Sequence, residues 1–437
     1  MQNKYTGKAV GLSILFMGFG QWYNKQLFKG FLLFLFGLAG VVFIVSQGFR
    51  RIAGLITLGD TPRSIVKSGD VYIPVAGDHS VFLMVEGLIS LLGVIFILLV
   101  YVLNVRDAYK VAGQRERGVQ PHSFAQTLQH IRYRHFPYLI LAIPAIFVVF
   151  LNVMPLIFSI LIAFTNYAAP VLPPANLLDW VGFRVFQNLL TLKTWSRTFY
   201  GVLTWTIIWA VLATATTYVA GTLVAVLVSQ QDVRLKKMWR TLLIVPFAIP
   251  NLVSLLVFRN LLNSEFGPIN QYLKWFGLQG LPWLTDPFWA KVTVLMVNLW
   301  LGMPLIMVLV SGILTTIPRD LYESAEVDGA RAWDKFRQIT LPMVMFSAAP
   351  VLIMQFAANI NNFNVIFMLT DGNPLISNYQ YAGATDLLVT WLYKLTLTNN
   401  QYNFASVIGL IIFVLVAGLS IYNYRKTQSY KEDDIIQ

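Results

Sequence analysis

Apolar residues occur along this chain in blocks of roughly 20, the length that a helix needs to cross about 30 Å of hydrocarbon. A helix satisfies its own backbone hydrogen bonds in lipid. The alternating segments of about ten residues that are typical of a membrane barrel do not occur. The pattern therefore predicts an all-α integral membrane protein. Its eight transmembrane helices are expected at about 30–49, 81–104, 137–164, 200–228, 239–262, 290–316, 341–369 and 404–424.

The stretch at residues 9–23 is apolar and glycine-rich, but it is short for a membrane-spanning helix. It follows a basic start, as the core of a signal peptide does, yet no cleavage site of small residues follows it. We expect a short interfacial or re-entrant helix here, and the sequence leaves full crossing open. The basic loop from Arg106 to His135 divides an N-terminal region at 1–135, with two transmembrane helices, from a six-helix core at 136–437.

Composition supports a membrane environment. Of the 437 residues, 57% are hydrophobic and 12% are charged, and the mean hydropathy is +0.63. A soluble domain carries about 25% charged residues. The formal charge of +12 does not indicate nucleic-acid binding, because the basic residues lie between the apolar blocks. The chain has no cysteine and its four histidines show no metal-ligand spacing, so we expect no disulfide and no metal site.

The distribution of basic residues predicts the orientation in the membrane. Five groups lie between alternate predicted helices or at the termini and together contain 19 Lys and Arg residues: Lys4 with Lys8, Arg106–Arg134, Arg234–Arg240, Arg319–Arg337 and Arg425–Lys431. The loops assigned to the opposite side contain nine. Basic residues are enriched on the cytoplasmic side, so both termini are predicted to be cytoplasmic.

The cytoplasmic segment from Ile317 to Pro342 differs from the other inside loops because its acidic residues outnumber its basic ones. Its sequence, IPRDLYESAEVDGARAWDKFRQITLP, predicts two short amphipathic helices with a bend at Asp328-Gly329, since glycine adopts positive φ at little cost. An acidic hairpin suits docking to a basic partner. A solvated surface hairpin is the alternative interpretation.

This segment resembles the EAA loop of binding-protein-dependent ABC importer permeases. The matching residues are Glu323, Ala325, Asp328, Gly329, Ala330, Phe336, Ile339, Leu341 and Pro342. Ser324 replaces the second motif residue. The resemblance implies the type I ABC importer permease fold, with the loop in a cleft of a separate ATP-binding subunit homodimer. It further implies that Glu323 pairs with a basic group there and that Gly329 shapes the bend.

Other segments resemble the maltose and maltodextrin permeases, with most similarity to the MalF-type subunit. They are FTNY at 164–167, DWVGF at 179–183, FGPIN at 266–270, PWLTDP at 282–287, NNF at 361–363 and ATDLLVTWLYKLT at 384–396. Two departures are the short loop at 165–199 and Gly372-Asn373-Pro374, where the family has Gly-Gly-Pro. The resemblance implies a bacterial cytoplasmic membrane protein that works with a second, MalG-type permease subunit and an extracytoplasmic sugar-binding protein.

The chain is not expected to be an enzyme. The phosphate-binding motif G-x-x-x-x-G-K-[ST] does not occur, so ATP and Mg²⁺ are expected on the partner ATPase and no cofactor in this chain.

The seventh predicted helix carries amides within apolar sequence, at Gln355, Asn359 and Asn362. With Ala358 they form one helical stripe, and the sixth predicted helix offers a second at the same spacing. The second stripe consists of Asn298, Leu301, Gly302 and Leu305. Amides donate and accept hydrogen bonds, which suits the hydroxyl groups of a neutral sugar. Hydrogen bonding between helices explains the spacing equally well.

The family resemblance favours contact with substrate, because Asn298, Leu301, Gly302, Asn359 and Asn362 match positions that line the maltose pocket of the family. Three positions depart from the family: Phe247 and Leu305 stand where the family has Tyr, and Ala358 where it has Phe. The loss of aromatic faces suggests a roomier site, so the hypothesis is a permease for longer neutral α-glucans.

Three alternative functions would place different demands on the sequence. An ion-coupled secondary sugar transporter would need charged relay residues in mid-membrane. The sequence offers only Glu86, for which a local partner or a wet surface near the outer end of the second helix is expected. A membrane scaffold could use the acidic loop without transporting a solute. An intramembrane enzyme would need a nucleophile–base pair or a metal set, and none is visible.

Overall fold

The computed structural model describes residues 3–68, 70–121, 124–134, 136–230 and 233–425. Packing divides the chain into two compact units, Met1–Val181 and Gly182–Gln437. This division separates packed groups of helices. The predicted functional division at 135/136 is a different boundary and stays a prediction. Of the basic C-terminal group, only Arg425 lies within the described residues.

The N-terminal unit contains three long apolar helices, which we name span 1 (Leu27–Thr57), span 2 (Ser80–Glu116) and span 3 (Phe136–Ala163). Spans 1 and 3 each include one π-helical turn, at Ile44–Gly48 and Val149–Val153. The remaining elements are the helices Asn3–Leu15, Phe19–Tyr23 and Phe124–Arg134, and the antiparallel strands Ser64–Ser68 and Val71–Val75.

Residues 9–23 belong to two short helices, Asn3–Leu15 and Phe19–Tyr23, as their length predicts. The break falls at Gly18, whose φ is +90°, and a side chain there would meet the backbone of Gly30. Neither helix has the length of a membrane crossing. They are held by buried amides, because Gln21 Nε2 donates to Asn104 O on span 2 at 3.0 Å.

The loop between spans 1 and 2 is an ordered hairpin, which the sequence did not predict. The Asp78 carboxylate accepts hydrogen bonds at 3.0 Å from the backbone N–H groups of Asp60 and Thr61 and from the Thr61 hydroxyl. These donors stabilise the ionised form, so the backbone hydrogen bonds from Thr61 and Asp60 lower the pKa of Asp78.

The C-terminal unit contains the other long helices: span 4 (Lys193–Ser229), span 6 (Pro287–Thr316), span 7 (Ala332–Ile360) and span 8 (Tyr402–Tyr422). Span 5 is the pair Lys236–Ala248 and Asn251–Leu261, which bends by 91°. Pro250 stands at the bend, where it cannot donate a helical hydrogen bond. Five shorter helices complete the unit, at Arg184–Thr191, Pro268–Trp275, Arg319–Val327, Phe363–Thr370 and Leu388–Leu397.

The eight predicted transmembrane helices all have counterparts. Within the described part of the chain, seven helices are long and apolar enough to cross a membrane, and the number is eight when the bent pair of span 5 is counted as one span. Span 4 is central to the C-terminal unit, where it packs against spans 6 and 7. Spans 4 and 6 approach closely at a small residue, because a Cβ at Gly221 would lie 2.6 Å from the Cβ of Ile306.

The prediction of one continuous seventh helix at 341–369 is wrong. The long helix ends at Ile360, and a second helix runs from Phe363 to Thr370. Asn362 lies outside the helical conformation (φ −76°, ψ 78°), and its side chain accepts from Val365 N at 3.4 Å. A capping side chain competes with the continuous helix at this point. The apolar pattern on both sides of the break concealed it.

Candidate functional site

Three asparagines that the sequence placed on two helices come together in the structure, and we name them the amide cluster: Asn298, Asn359 and Asn362. Asn362 Nδ2 donates to Asn359 Oδ1 at 3.2 Å and lies 3.4 Å from Asn298 Oδ1. Asn298 and Asn359 are 7% and 5% exposed. The break after Ile360 brings Asn362 to this position, so the cluster depends on the irregular turn and not on a helical stripe.

Span 4 supplies partners that the sequence analysis missed. Asn359 Nδ2 donates to Thr214 Oγ1 at 3.0 Å, and Gln355 Nε2 donates to Thr217 Oγ1 at 3.0 Å. Trp209 Nε1 donates to the Asn359 carbonyl at 3.1 Å. The three threonines at 214, 216 and 217 were a signal that could have been noticed, since hydroxyl groups in an apolar helix often bond to a neighbouring helix.

Both interpretations of the amides find support in this geometry. The cluster joins spans 4, 6 and 7, which is the interhelical bonding that the spacing allowed. Among the described residues, however, the buried Oε1 of Gln355 has no hydrogen-bond partner. A buried polar atom without a partner is costly. The seam therefore has hydrogen-bonding capacity that a hydroxyl-bearing ligand could use.

The remaining predicted substrate residues lie around the cluster in different environments. Gly302 is a contact point between helices, because a Cβ there would lie 2.8 Å from Thr217 Cγ2. Leu301 packs at the edge of an apolar core that includes Trp209, Val294 and Val297. Three side chains are open on the surface of the isolated chain: Phe247, Leu305 and Ala358.

The segment Ile317–Pro342, which we name the coupling loop, has the predicted bend. The helix Arg319–Val327 ends at Asp328, and Gly329 adopts φ +78°. Ala330 N donates to Ala325 O at 2.9 Å, which closes the helix end. The second short helix predicted for this loop is wrong, because the helix that begins at Ala332 is span 7 itself. At its start the Asp334 carboxylate accepts from Arg331 N at 3.0 Å.

The coupling loop exposes both acidic and apolar side chains. Glu326 is neutralised by Lys335, with 2.6 Å between the carboxylate oxygen and Nζ. Glu323 is exposed, and within the described chain it has no ion-pair partner. Val327 is 88% exposed and Trp333 is 65% exposed. Two exposed apolar side chains and an unpaired carboxylate are compatible with both interpretations of this segment, a docking surface and a solvated hairpin. Leu341 and Pro342 open the regular part of span 7.

A buried ion pair after the helix Phe363–Thr370 was missed, although its residues belong to a segment that carried the family resemblance. The Asp386 side chain is fully buried and lies 2.8 Å from Lys394 Nζ. It also accepts from Gly383 N at 2.7 Å and from the Thr390 hydroxyl at 2.8 Å. A Cβ at Gly372 would collide with the Asp386 carboxylate, so glycine is required there. This pair fixes the loop between spans 7 and 8.

Glu86 has the local partner that the sequence analysis expected. Its Oε2 lies 3.4 Å from Nε of Arg51, and both side chains are partly exposed. A half-exposed pair near the helix end does not provide the mid-membrane relay that an ion-coupled transporter requires.

Comparison with known proteins assigns the family. The model of the binding-protein-dependent transport system inner membrane component matches residues 217–426. The galactooligosaccharides transport system permease protein GanP of Bacillus subtilis (strain 168) is 40% identical over 431 residues, which are 97% of this chain and 98% of that protein. The chain belongs to this permease family. The maltodextrin transport system permease protein MalC of Streptococcus pneumoniae serotype 4 is 36% identical over 445 residues, covering 100% of this chain and 99% of that protein.

The fold agrees with this assignment. A bacterial ABC transporter involved in the import of the acidic polysaccharide alginate aligns with a TM-score of 0.56 at 23% identity, covering 69% of this chain and 99% of that chain. The predicted ABC importer permease fold is thus confirmed. The chain is a multi-pass permease subunit of an ABC sugar importer, and the alternative of an ion-coupled transporter is set aside.

Proposed function

We propose that spans 4, 6 and 7 of this permease form half of a path for neutral oligosaccharides, with the amide cluster as the sugar-binding element. The observation that carries the proposal is the meeting of four amides, those of the amide cluster and of Gln355, with two threonines at one seam between three helices. Amides and hydroxyls bind sugar hydroxyl groups in both directions. The predicted set contains no charged side chain, which suits an uncharged ligand.

In this proposal the sugar replaces hydrogen bonds that the amide and threonine side chains of spans 4, 6 and 7 now make with one another. Hydroxyl groups of the substrate bond to Asn298, Asn359 and Asn362, and Gln355 Oε1 gains a donor. Phe247, Leu305 and Ala358 complete the wall together with the second permease subunit. Phe247 and Leu305 stand where the family has Tyr, and Ala358 stands where it has Phe. These replacements leave room for a longer sugar.

The substrate class is proposed to be maltodextrin, meaning α-glucans longer than maltose. Support comes from MalC, whose similarity extends over the whole chain. Galacto-oligosaccharides are the second candidate, because GanP shows higher identity, 40% over 97% of this chain. Both candidate substrates present hydroxyl groups, but they differ in the geometry of their glycosidic linkages. A transport assay distinguishes between them.

The coupling loop is proposed to receive the movement of a separate ATP-binding subunit homodimer that carries ATP and Mg²⁺. Glu323 pairs with a basic group of that subunit, and the rigid bend at Gly329 passes the motion to spans 6 and 7. In this arrangement both termini are cytoplasmic, and an extracytoplasmic sugar-binding protein delivers the substrate to the opposite face. A MalG-type permease subunit supplies the other half of the path.

The test is ATP-dependent uptake by proteoliposomes that contain this chain with its partner subunits and binding protein. Labelled maltotetraose, maltose and a galactotetraose are supplied in turn. Accumulation of maltotetraose in preference to galactotetraose supports the maltodextrin assignment, and the reverse order supports the second candidate. Absence of ATP-dependent accumulation of every neutral oligosaccharide contradicts the proposal.

A further inference from the structure

A basic cavity lies in the N-terminal unit where three chain segments meet. Its volume is about 640 Å³, within the usual range of ligand pockets, ~300–1,000 Å³. The wall comprises Lys25–Lys29 at the start of span 1, the residues at and after the end of span 2, and the first turn of the helix Phe124–Arg134. None of these residues belongs to the amide cluster or to the coupling loop.

The charge of the cavity wall is positive. Among the described residues, it includes Lys25, Lys29 and Arg115 and no acidic residue. Lys29 is neutralised from outside the wall by Asp107, whose Oδ1 lies 2.7 Å from Nζ. Within the described chain, Lys25 and Arg115 have no carboxylate in ion-pair range. Two cations beside one cavity therefore lack a counter-charge from the residues that the structure describes.

Arg115 is held in place by neutral groups. Its Nη1 donates to the Tyr5 hydroxyl at 2.7 Å and to the Tyr23 carbonyl at 3.3 Å, and its guanidinium lies over the Tyr5 ring at 5.5 Å from the centroid. A guanidinium has five N–H donors, so these contacts fix its position and leave other donors for a ligand. A fixed fork of donors is suited to phosphate oxygens.

The start of span 1 adds backbone donors to the same wall. Leu27, Phe28 and Lys29 form the first turn of a long helix, whose N–H groups have no partner within the helix. The positive end of the helix dipole favours an anion at this position. Lys25 lies two residues before this helix and has a φ of +60°, a left-handed conformation that is uncommon for lysine. The chain thus places a cation next to these N–H groups at a conformational cost.

The cavity continues into an apolar surface. Phe28 packs edge-on against Phe124 with 4.6 Å between ring centroids, and Phe28 remains 56% exposed. Phe31, Leu35 and Leu38 follow on the same face of span 1 and are also exposed. An exposed apolar stripe on a membrane-spanning helix contacts lipid chains. A molecule with an anionic head and an apolar tail would fill both parts.

We propose that this cavity binds the headgroup of an anionic phospholipid, with its phosphate against Lys25, Arg115 and the first turn of span 1. The acyl chains lie along the stripe that begins at Phe28. The proposed orientation places the cavity on the cytoplasmic side, where anionic lipids and basic membrane-boundary residues attract each other. The site would anchor the N-terminal pair of spans to that leaflet.

Lipid retention tests this site without any sugar. The importer complex is purified in nanodiscs of mixed phosphatidylcholine and phosphatidylglycerol, and native mass spectrometry measures the bound phosphatidylglycerol. We expect Lys25→Gln to lower its retention roughly fivefold, the effect of about one surface cation on anionic lipid. Lys25 is exposed and makes no ion pair within the described chain, so the variant should fold. Adding Arg115→Gln should lower retention further.

Lys110→Gln is the matched control, because Lys110 is an exposed cation on span 2 that does not line the cavity. Its retention of phosphatidylglycerol should equal that of the unmodified chain. Equal losses in Lys110→Gln and Lys25→Gln, or no loss in either, would overturn the proposal. A second arm offers glycerol 1-phosphate and inorganic phosphate to complexes in phosphatidylcholine alone. Binding of either that depends on Lys25 would assign the cavity to a soluble phosphate and refute the lipid.

Discussion

At the scale of single residues, Asn359 makes three hydrogen bonds through one side chain and one carbonyl. It donates to Thr214 on span 4, accepts from Asn362, and its carbonyl accepts from Trp209. Asn361 is a neighbouring amide that is exposed. The two residues have the same chemistry in different places, which makes them a matched pair for testing the amide cluster.

We expect Asn359→Ala to lower sugar uptake by tenfold or more while the complex still assembles. The loss of hydrogen bonds to the substrate, each worth ~0.5–1.5 kcal/mol, accounts for that size. Asn361→Ala should transport normally. The measurement is uptake of labelled maltotetraose in proteoliposomes, with co-purification of the partner subunits as the assembly check. Unchanged uptake in both Asn359→Ala and Asn362→Ala would defeat the sugar-binding assignment.

Gly302 lies at a close contact between spans 4 and 6. We expect Gly302→Ala to destabilise the chain by ~1–3 kcal/mol, because its methyl group would be forced against Thr217 of span 4 at 2.8 Å. A Cβ at Gly312 on the same helix would meet nothing within 4 Å, so Gly312→Ala is the control. Thermal unfolding of the purified chain measures the difference. Equal unfolding midpoints for the two variants would show that the helices separate at no cost.

At the scale of elements, the coupling loop depends on a bend that only certain residues adopt. A Cβ at Gly329 meets nothing within 4 Å, so the requirement there is the backbone angle and not the space. The φ of +78° costs an L-residue ~1–2 kcal/mol. Asparagine tolerates this conformation better than other side chains do.

We therefore expect Gly329→Val to uncouple transport from ATP hydrolysis more than Gly329→Asn does. The valine variant should fold the loop differently and lose most uptake per ATP hydrolysed, whereas the asparagine variant should keep a substantial part. Uptake and phosphate release are measured on the same proteoliposomes. Equal coupling in both variants would mean that the left-handed bend has no part in transmission.

Span 7 shows how far periodicity predicts an element. Apolar residues from Leu341 to Leu369 read as one helix, and the regular part up to Ile360 was predicted correctly. The break at Asn361-Asn362 was not, because a side-chain cap with its bond to Val365 N outweighs helix continuation there. A hydrophobic pattern is an average over many residues. It does not predict a helix cap, because a cap depends on the hydrogen bond of a single side chain. The threonine partners on span 4 were missed for a similar reason, since spacing on one helix does not specify a neighbour.

At the scale of the whole molecule, orientation is the prediction that connects the coupling loop with the basic cavity. The absence of cysteine makes the chain a ready background for single-cysteine labelling. Tyr72 lies in the hairpin between spans 1 and 2 and is 66% exposed, while Val119 follows span 2 and is 55% exposed.

In sealed, right-side-out cells, we expect Tyr72→Cys to react with a membrane-impermeant maleimide and Val119→Cys to react only after permeabilisation. The reason is the enrichment of Lys and Arg in the segment after span 2. Labelling of Val119→Cys in sealed cells would reverse the orientation, and with it the proposed leaflet of the phospholipid.

The membrane environment, the approximate positions of the transmembrane helices and the family can all be predicted from the sequence alone. Those properties are local or additive: apolar length, basic residues between blocks, and motifs such as the coupling loop with its glycine. Which polar groups meet depends on the folded structure. The examples are the amide cluster with Thr214, Gln355 with Thr217, the buried Asp386–Lys394 pair, and the basic cavity around Lys25 and Arg115. Each of these joins residues distant in the chain, so their geometry depends on how helices pack and break.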